Sequence, residues 1–253
     1  MRPSLINYNG QSAKGKRKVQ RFSFIVYSFV VPGVPPVPTM NCLVVAATVI
    51  EISPFLQWLK TGKKLPAEID VLITGIGLTA TTYSLTKQLA IKKPNLVIQA
   101  GVGGCFDSRI PLGSVFAIKQ EAIADQGVIE LNKLRTLFDL ELVPQNQYPF
   151  TRGWLINTNQ VLKKTRLRKV KGVSTNEITT SRQNLDFYKK TFGPVVESME
   201  GAALHYVCLQ EKIPFIQLRS VSNYIAERNK KNWNMKESII NLNNELILLL
   251  NKL

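Results

Sequence analysis

Short apolar segments rich in β-branched residues alternate along this chain with segments whose apolar residues recur at helical spacing. This alternation restricts the fold more than any other feature, because buried strands joined by helices form one sheet covered on both faces. The predicted strands are LVVAA (43–47), VLITGIG (71–77), LVIQAGVGG (96–104), SVFAIK (114–119) and PFIQLRSVS (214–222). The predicted helices are ISPFLQWLK (52–60), LTATTYSLTKQLAIKK (78–93), ESMEGAALHYVCLQE (197–211) and the amphipathic segment 235–253, for which we expect core packing. We therefore predict an α/β fold with a three-layer α-β-α arrangement and a central, mostly parallel or mixed sheet.

Residues 1–39 differ in composition from the rest of the chain. They contain six Lys or Arg residues and no Asp or Glu, whereas the whole 253-residue chain has a formal net charge of +16. A basic stretch, a ten-residue apolar run (22–31) and a proline-rich stretch follow one another, as in a targeting segment. The run is too short to span a bilayer, and no small-residue cleavage site follows it. We predict a disordered or mis-assigned extension over 1–39, with a targeting segment as the alternative, and one folded domain over 40–253.

The cysteine, histidine and charge content excludes several classes of function. Three cysteines without paired spacing (Cys42, Cys105 and Cys208) and the single His205 exclude a disulfide framework and a Cys/His zinc site. We therefore expect no metal, a reducing cytoplasmic compartment, and a packed or partly exposed helical role for His205. The basic residues lack interleaved aromatics and a nucleic-acid-binding signature, so we expect neither nucleic acid nor a membrane as a partner. The dense basic run 163–171 is predicted to be a solvated loop.

Glycine clusters end two neighbouring predicted strands. Gly75-Ile-Gly77-Leu-Thr-Ala80 satisfies a loose dinucleotide-binding pattern, but the next strand does not end in the acidic residue that a nicotinamide enzyme needs. That next strand ends instead in Gly101-Val-Gly103-Gly104. Bare backbone at strand carboxyl ends is where open α/β sheets bind ligands, and a ring can lie against it. Each cluster is therefore either a tight structural turn or one wall of a ligand crevice.

Two polar clusters occur later in the chain. Glu200 lies among small residues in VESMEGAA (196–203), where a carboxylate either accepts both hydroxyls of a ribose or stabilises a helix N-terminus. Arg219-Ser-Val-Ser222-Asn223 closes the last predicted strand. Its polar side chains either belong to a site or form a turn.

Five motifs occur in the order and spacing of the purine nucleoside phosphorylase and nucleosidase superfamily. They are AATVIE (46–51), TGIGLTA (74–80), AGVGG (100–104), SMEGAA (198–203) and RSVSN (219–223). The combination of VESMEGAA with RSVSNYIAERNKKNW (219–233) resembles the futalosine hydrolases in particular, in which SN-x4-R-x4-W follows the last core strand; Arg228 and Trp233 match that pattern. The resemblance implies a phosphorylase/hydrolase-like nucleosidase domain over 40–253 that hydrolyses an N-glycosidic bond without a cofactor.

The resemblance also implies roles for individual residues. Glu51 matches the carboxylate that positions the attacking water, and Arg219 and Glu200 match groups around that water and the ribose. The other implied contacts are Met199 on the sugar, Ile178 on the base, and Gly104 and Ser222 in the pocket wall. Val102 stands where methylthioadenosine nucleosidases have a hydroxyl residue near the water, so the water has one partner fewer.

Asn223 predicts the identity of the base. Adenine-specific relatives have Asp at this position, which accepts from the exocyclic amine. Hypoxanthine and guanine have a carbonyl at C6, so the facing group must donate to O6 while it accepts from a protonated N7, and an amide does both. An ionised carboxylate leaves O6 without a donor, at a cost of about 1–3 kcal/mol. We therefore expect a 6-oxopurine leaving group stabilised by Asn223, while Glu51 deprotonates water.

The resemblance to the futalosine hydrolases implies futalosine as the substrate and menaquinone biosynthesis as the pathway, and the amide at position 223 agrees with hypoxanthine as the released base. Arg228 is either the partner of the benzoate carboxylate of futalosine or a surface arginine. The alternatives are a methylthioadenosine/adenosylhomocysteine or aminodeoxyfutalosine nucleosidase, and a phosphorolytic enzyme with Arg109 as candidate phosphate ligand. The expected ligand is a small purine nucleoside, and the resemblance implies a homo-oligomer, a dimer or larger.

Overall fold

The computed structural model describes residues 26–28, 40–62, 65–131, 133–227 and 229–253. The strands are β1 (Val26–Ser28), β2 (Met40–Ala46), β3 (Ala67–Ile73), β4 (Leu96–Cys105), β5 (Val115–Ile123), β6 (Gly127–Glu130), β7 (Lys133–Thr136), β8 (Phe150–Thr151), β9 (Trp154–Ile156), β10 (Lys169–Ser174), β11 (Val196–Ser198) and β12 (Phe215–Tyr224). The helices are α1 (Ser53–Leu59), α2 (Leu78–Ile91), α3 (Arg182–Phe192), α4 (Gly201–Gln210) and α5 (Met235–Leu250), with short 3-10 turns at Ile50–Ile52, Gln160–Lys163 and Lys230–Asn232.

Strand β4 is the centre of a mixed sheet. It pairs in parallel with β2 and with β12, and its last residues pair antiparallel with β11. β12 then pairs with β5, β5 with β10, and β10 with β11. Five strands therefore close into a ring, and β2, β3 and β1 extend it on one side as an open sheet. The ring places β11, with β10 next to it, beside the carboxyl ends of β4 and β12.

Helices cover both faces of the open part of the sheet. In β2, Cys42 and Val44 pack into the cluster that contains Leu246 of α5, whereas Leu43 and Val45 face the opposite cluster. That opposite cluster contains buried residues of α2 and α4. The predicted three-layer α/β fold and the core packing of the C-terminal helix are therefore confirmed.

The register of β12 against β4 changes near the carboxyl ends of the two strands. Val221 pairs with Gly103 and Asn223 pairs with Gly104, so Ser222 forms a bulge. A bulge breaks the two-residue alternation and redirects the side chains that follow it. This shift sets the direction of Asn223 at the end of the strand.

Two local predictions are wrong. The helix predicted over 197–211 begins only at Gly201, because Val196–Ser198 pair with β4 and β10 as strand β11. The segment 163–171 is not wholly a loop, because Lys169–Lys171 begin strand β10 with Val170 buried between two exposed lysines. Both segments join the sheet through distant partners. The sequence-based prediction did not include strands β6–β9 or helix α3.

The amino-terminal extension contributes one short strand. Val26–Ser28 pair antiparallel with β3, and the remainder of 1–39 lies outside the described residues. Among the helices that the structure describes, none combines the length and the apolar character needed to cross a bilayer.

Candidate active site

The glycines of β4 allow charged side chains to lie against the strand. A Cβ atom at Gly101 would overlap Nη1 of Arg219 and would lie 3.1 Å from Oε1 of Glu51. A Cβ atom at Gly104 would overlap the Ile225 side chain and approach Nδ2 of Asn223 to 3.4 Å. The space beside these glycines is therefore occupied by side chains of the protein, which a larger residue at either position would displace.

Glu51 is held in a short 3-10 turn that follows β2. Its Oε2 accepts hydrogen bonds from the backbone nitrogen (2.9 Å) and hydroxyl (3.0 Å) of Thr48, and its Oε1 accepts from the backbone nitrogen of Val102 (3.1 Å). Asn243 of α5 donates to the Glu51 carbonyl at 2.8 Å and accepts from the Phe55 backbone nitrogen at 3.1 Å. Thr48 and Val102 thus hold the carboxylate, and Asn243 of α5 holds the backbone of the turn that carries it.

The surroundings of Glu51 favour its protonated form more than water does. Burial raises the pKa of Glu51 above its ordinary value, the Arg219 guanidinium opposes that rise, and the Glu200 carboxylate adds to it. A carboxylate with a raised pKa is a stronger proton acceptor than an exposed one. The geometry therefore suits a general base.

Arg219 and Glu200 form a buried ion pair beside Glu51. Nη1 of Arg219 lies 3.3 Å from Oε2 of Glu200 and donates to the Val102 carbonyl at 3.2 Å, and Nη2 donates to Oε1 of Gln99 at 3.0 Å. Oε1 of Glu200 accepts from the Gly77 backbone nitrogen at 3.1 Å. Glu200 occupies the N-cap position of α4 without capping it through its side chain. Its carboxylate is therefore directed at Arg219 and at the Gly77 nitrogen.

Ser222 and Asn223 form a second polar pair at the end of β12. The Ser222 hydroxyl lies 2.9 Å from Oδ1 of Asn223 and 3.3 Å from the Gly103 carbonyl. Nδ2 of Asn223 donates to the Tyr224 carbonyl at 3.1 Å. These contacts give the amide a defined orientation and use half of its hydrogen-bonding capacity.

The other predicted site residues occupy different positions around this group. Met199 is half-buried between β11 and α4, and Ile178 is 42% exposed in the loop after β10. That loop contacts the turn after β12, since the Ala226 nitrogen donates to the Thr179 carbonyl at 3.2 Å. The Trp233 side chain donates from its indole nitrogen to the carbonyl of Glu227, which lies in the turn after β12. The predicted contact of Arg228 lies outside the described residues.

Several buried polar residues near the site were not predicted to belong to it. They are Gln99, Glu121, Thr179, Glu197, His205, Gln217 and Asn243. Glu197 accepts at Oε1 from the Thr179 backbone nitrogen (3.1 Å) and at Oε2 from its hydroxyl (2.5 Å), and burial raises its pKa. His205 is fully buried, which confirms packing rather than partial exposure. In the sequence, the one signal for these buried residues was the occurrence of polar residues inside apolar segments.

Comparisons with known proteins show the family to which the chain belongs. A family model described as the phosphorylase superfamily matches residues 61–250. A 5'-methylthioadenosine/S-adenosylhomocysteine nucleosidase of Haemophilus ducreyi is 26% identical over 172 residues, covering 63% of this chain and 68% of that one. Futalosine hydrolases of Thermus thermophilus (25%; 66% and 75% covered) and Streptomyces coelicolor (26%; 70% and 76%) are similar to the same degree.

Solved structures share the fold. The futalosine hydrolase of Helicobacter pylori strain 26695 superposes with a TM-score of 0.70 at 18% identity, covering 85% of this chain and 99% of that one. The 5'-methylthioadenosine/S-adenosyl homocysteine nucleosidase of Helicobacter pylori, solved in complex with a pyrrolo-pyrimidine compound, gives a TM-score of 0.71 at 18% identity, with 85% of this chain and 99% of that one covered. Both types of nucleosidase have this architecture.

Proposed function

The chain belongs to the phosphorylase superfamily, and from that premise we propose that it is a nucleosidase that hydrolyses futalosine and releases hypoxanthine. The observation that carries the proposal is the grouping of Glu51, Arg219 and Glu200 at one end of the β4 glycine segment, with the Asn223 amide at the other. This arrangement provides a base for water, charged groups for the sugar and an amide for the purine.

In this proposal Glu51 orients and deprotonates the attacking water. Its two oxygens are fixed by Thr48 and Val102, so a lone pair keeps one direction during the reaction. The C1′–N9 bond breaks with oxocarbenium character, and Glu200 accepts from the ribose hydroxyls while Met199 packs on the sugar. Such preorganised charges stabilise the transition state without reorganisation.

Asn223 stabilises the departing base. The Ser222 hydroxyl orients the amide oxygen, which accepts from the protonated N7, and the amide nitrogen donates to O6. Ile178 packs on the purine from the neighbouring loop. Stabilisation of the leaving group acts chiefly in the transition state and therefore raises kcat.

The contacts of the arginines favour water over phosphate as the nucleophile. Arg219 already directs its nitrogens to Gln99, Val102, Glu200 and Gln217. Arg109, the candidate phosphate ligand, is exposed and pairs with both carboxylate oxygens of Asp107 at 2.9 Å. Within the described residues, neither guanidinium is positioned to clamp a phosphate.

Methylthioadenosine or adenosylhomocysteine is the second candidate substrate, because nucleosidases of that type are as similar to the chain as futalosine hydrolases. The amide at position 223 favours the 6-oxopurine. Futalosine hydrolysis places the chain in menaquinone biosynthesis, and Arg228 remains the proposed partner of the benzoate carboxylate. A cytoplasmic homo-oligomer, a dimer or larger, remains the expected state.

The decisive experiment offers futalosine, aminodeoxyfutalosine, inosine and methylthioadenosine side by side and identifies the released base, with and without phosphate. We expect hypoxanthine from futalosine at a rate independent of phosphate. Glu51→Gln should retain nucleoside binding and lose hydrolysis. Preferential release of adenine from methylthioadenosine would show that futalosine is not the substrate. A requirement for phosphate would show that the reaction is phosphorolysis and not hydrolysis.

A further inference from the structure

A chain of buried polar side chains lies behind Arg219, on the side away from Glu51. Glu121 of β5 and His205 of α4 are fully buried, and Gln217 of β12 is 1% exposed. None of the roles assigned to water, sugar or base uses these residues. Buried polar groups are costly unless they are hydrogen-bonded, so their presence calls for a physical reason.

Gln217 connects these residues to Arg219. In the amide orientation that satisfies its neighbours, its nitrogen donates to Oε2 of Glu121 at 3.1 Å and to Nε2 of His205 at 2.9 Å. Its oxygen then accepts from Nε of Arg219 at 3.1 Å. The opposite orientation would direct an NH₂ group at a guanidinium and an oxygen at two acceptors.

His205 determines which way the Gln217 amide faces. Nδ1 of His205 lies 3.1 Å from the Leu155 carbonyl, which can only accept, so Nδ1 carries the proton and Nε2 is the acceptor. Burial lowers the pKa of His205 to about 4, so the ring stays neutral under ordinary conditions. An acceptor at Nε2 requires the amide nitrogen of Gln217 and thereby leaves the amide oxygen for Arg219.

Glycines on two elements make room for the Glu121 carboxyl group. A Cβ atom at Gly172 of β10 would lie 2.5 Å from Oε2 of Glu121, and one at Gly201 of α4 would lie 2.8 Å from it. The Ser174 hydroxyl donates to Oε1 of Glu121 at 2.9 Å. The backbone is thus shaped around a carboxyl group that reaches no solvent.

We propose that Glu121, His205 and Gln217 are positioning residues for Arg219, acting through the Gln217 amide to fix the plane of the guanidinium against Glu200 and Glu51. This inference rests on the proposed function for its catalytic consequence. A guanidinium is planar, so a bond at Nε sets the directions of both terminal nitrogens. Released from Gln217, Arg219 keeps its charge and its contacts at the terminal nitrogens but loses the hydrogen bond at Nε that restricts the guanidinium plane.

The structural consequence is measured without any substrate. In ¹⁵N-labelled protein, the Nε–H resonance of Arg219, identified by its loss in Arg219→Lys, should be distinct and slow to exchange. Gln217→Met and His205→Leu should shift and broaden it, whereas His205→Gln, which restores an acceptor near Nε2, should recover it. Gln210→Leu on the exposed side of the same helix is the matched control and should leave it unchanged.

The catalytic consequence is a separate readout. Gln217→Met and His205→Leu should lower kcat roughly tenfold to hundredfold with KM within about twofold, and His205→Gln should recover most of the loss. An unchanged Arg219 resonance in Gln217→Met overturns the proposal, as does a change confined to KM. If the wild-type protein hydrolyses no nucleoside, the proposed function fails, while the resonance still decides the positioning role. If His205→Leu does not fold, Gln217→Met and His205→Gln decide the matter.

Discussion

Replacing the amide nitrogen of Asn223 by an oxygen, as in aspartate, would remove the hydrogen-bond donor of this side chain. Its oxygen is oriented by Ser222 and its nitrogen by the Tyr224 carbonyl, so the side chain has one acceptor and one donor direction left for a ligand. An aspartate has the same shape but only acceptors when ionised. We therefore propose that this residue discriminates between 6-oxo and 6-amino purines.

Asn223→Asp should reduce hypoxanthine release from futalosine by roughly 5- to 150-fold, because O6 then faces a carboxylate at a cost of about 1–3 kcal/mol. Release of adenine from aminodeoxyfutalosine or methylthioadenosine should rise relative to it. Both are measured as kcat/KM for each substrate. Asn244→Asp, on the exposed face of α5, is the control. Equal selectivity in the two variants would remove Asn223 from the base contact.

The pH dependence of hydrolysis tests Glu51. Burial raises its pKa, so activity should fall, as the pH decreases, at a higher pH than for an ordinary glutamate. Arg219 lowers this pKa and Glu200 raises it. The acid limb of log kcat should therefore move to higher pH in Arg219→Met and to lower pH in Glu200→Gln. Shifts of the same sign in both variants would show that the limb belongs to another group.

At the scale of elements, the loop after β10 depends on a carboxyl group of β11. Thr179→Val removes the hydroxyl that donates to Glu197 and leaves a buried acceptor without one of its partners. We expect a loss of about 1–3 kcal/mol in the free energy of unfolding and a higher KM, since Ile178 lies in this loop. Chemical denaturation and steady-state kinetics measure the two effects. The exposed neighbour Thr180→Val should change stability by no more than about 0.5 kcal/mol; equal effects at both positions would contradict the interpretation.

Helix α5 supports the turn that carries Glu51. Asn243→Ala removes the partner of the Glu51 carbonyl and of the Phe55 nitrogen, so we expect a lower kcat together with a loss of about 1–3 kcal/mol in unfolding free energy. Asn244→Ala on the exposed side of the helix should affect neither quantity appreciably. If kcat is the same in the two variants, α5 does not position the base.

For the whole molecule, two buried groups oppose each other in the pH dependence of stability. Burial raises the pKa of Glu121 from 4.5 to about 8, so its contribution is complete below pH 4.5 and is lost as the pH rises to about 8. Burial lowers the pKa of His205 from 6.5 to about 4, so its contribution is complete above pH 6.5 and is lost as the pH falls to about 4. The two effects offset each other between pH 4.5 and 6.5.

Above pH 6.5 the His205 contribution is complete, whereas the Glu121 contribution continues to decrease. Glu121 should therefore lower the free energy of unfolding by roughly 1 kcal/mol per pH unit as the pH rises from 6.5 towards 8. Glu121→Gln should remove this slope, and Glu141→Gln, at an exposed position, should retain it. Urea denaturation at several pH values measures the slope. A slope that survives in Glu121→Gln would show that Glu121 is not the group that takes up the proton.

The sequence by itself determined the features that follow from local pattern. Alternating apolar segments predicted the three-layer α/β fold, small or polar residues at element ends pointed to Glu200, Arg219 and Asn223, and the family resemblance pointed to Glu51. The structure groups Glu51, Arg219 and Glu200. These signals are local because burial of a strand or helix shows in its own periodicity. The residue type at position 223 also carried the prediction for the base.

Only the tertiary structure decided how these residues are aimed. Strands β10 and β11 exist because partners more than fifty residues away in sequence complete their hydrogen bonds, so their own segments resemble a basic loop and a helix start. The Ser222 bulge likewise depends on the pairing of β12 with β4, and the Gln217 bridge to Arg219 depends on β5 and α4 lying next to β12. Hydrogen bonds between distant segments leave no periodicity in the sequence of either partner, and the orientation of the site depends on such bonds.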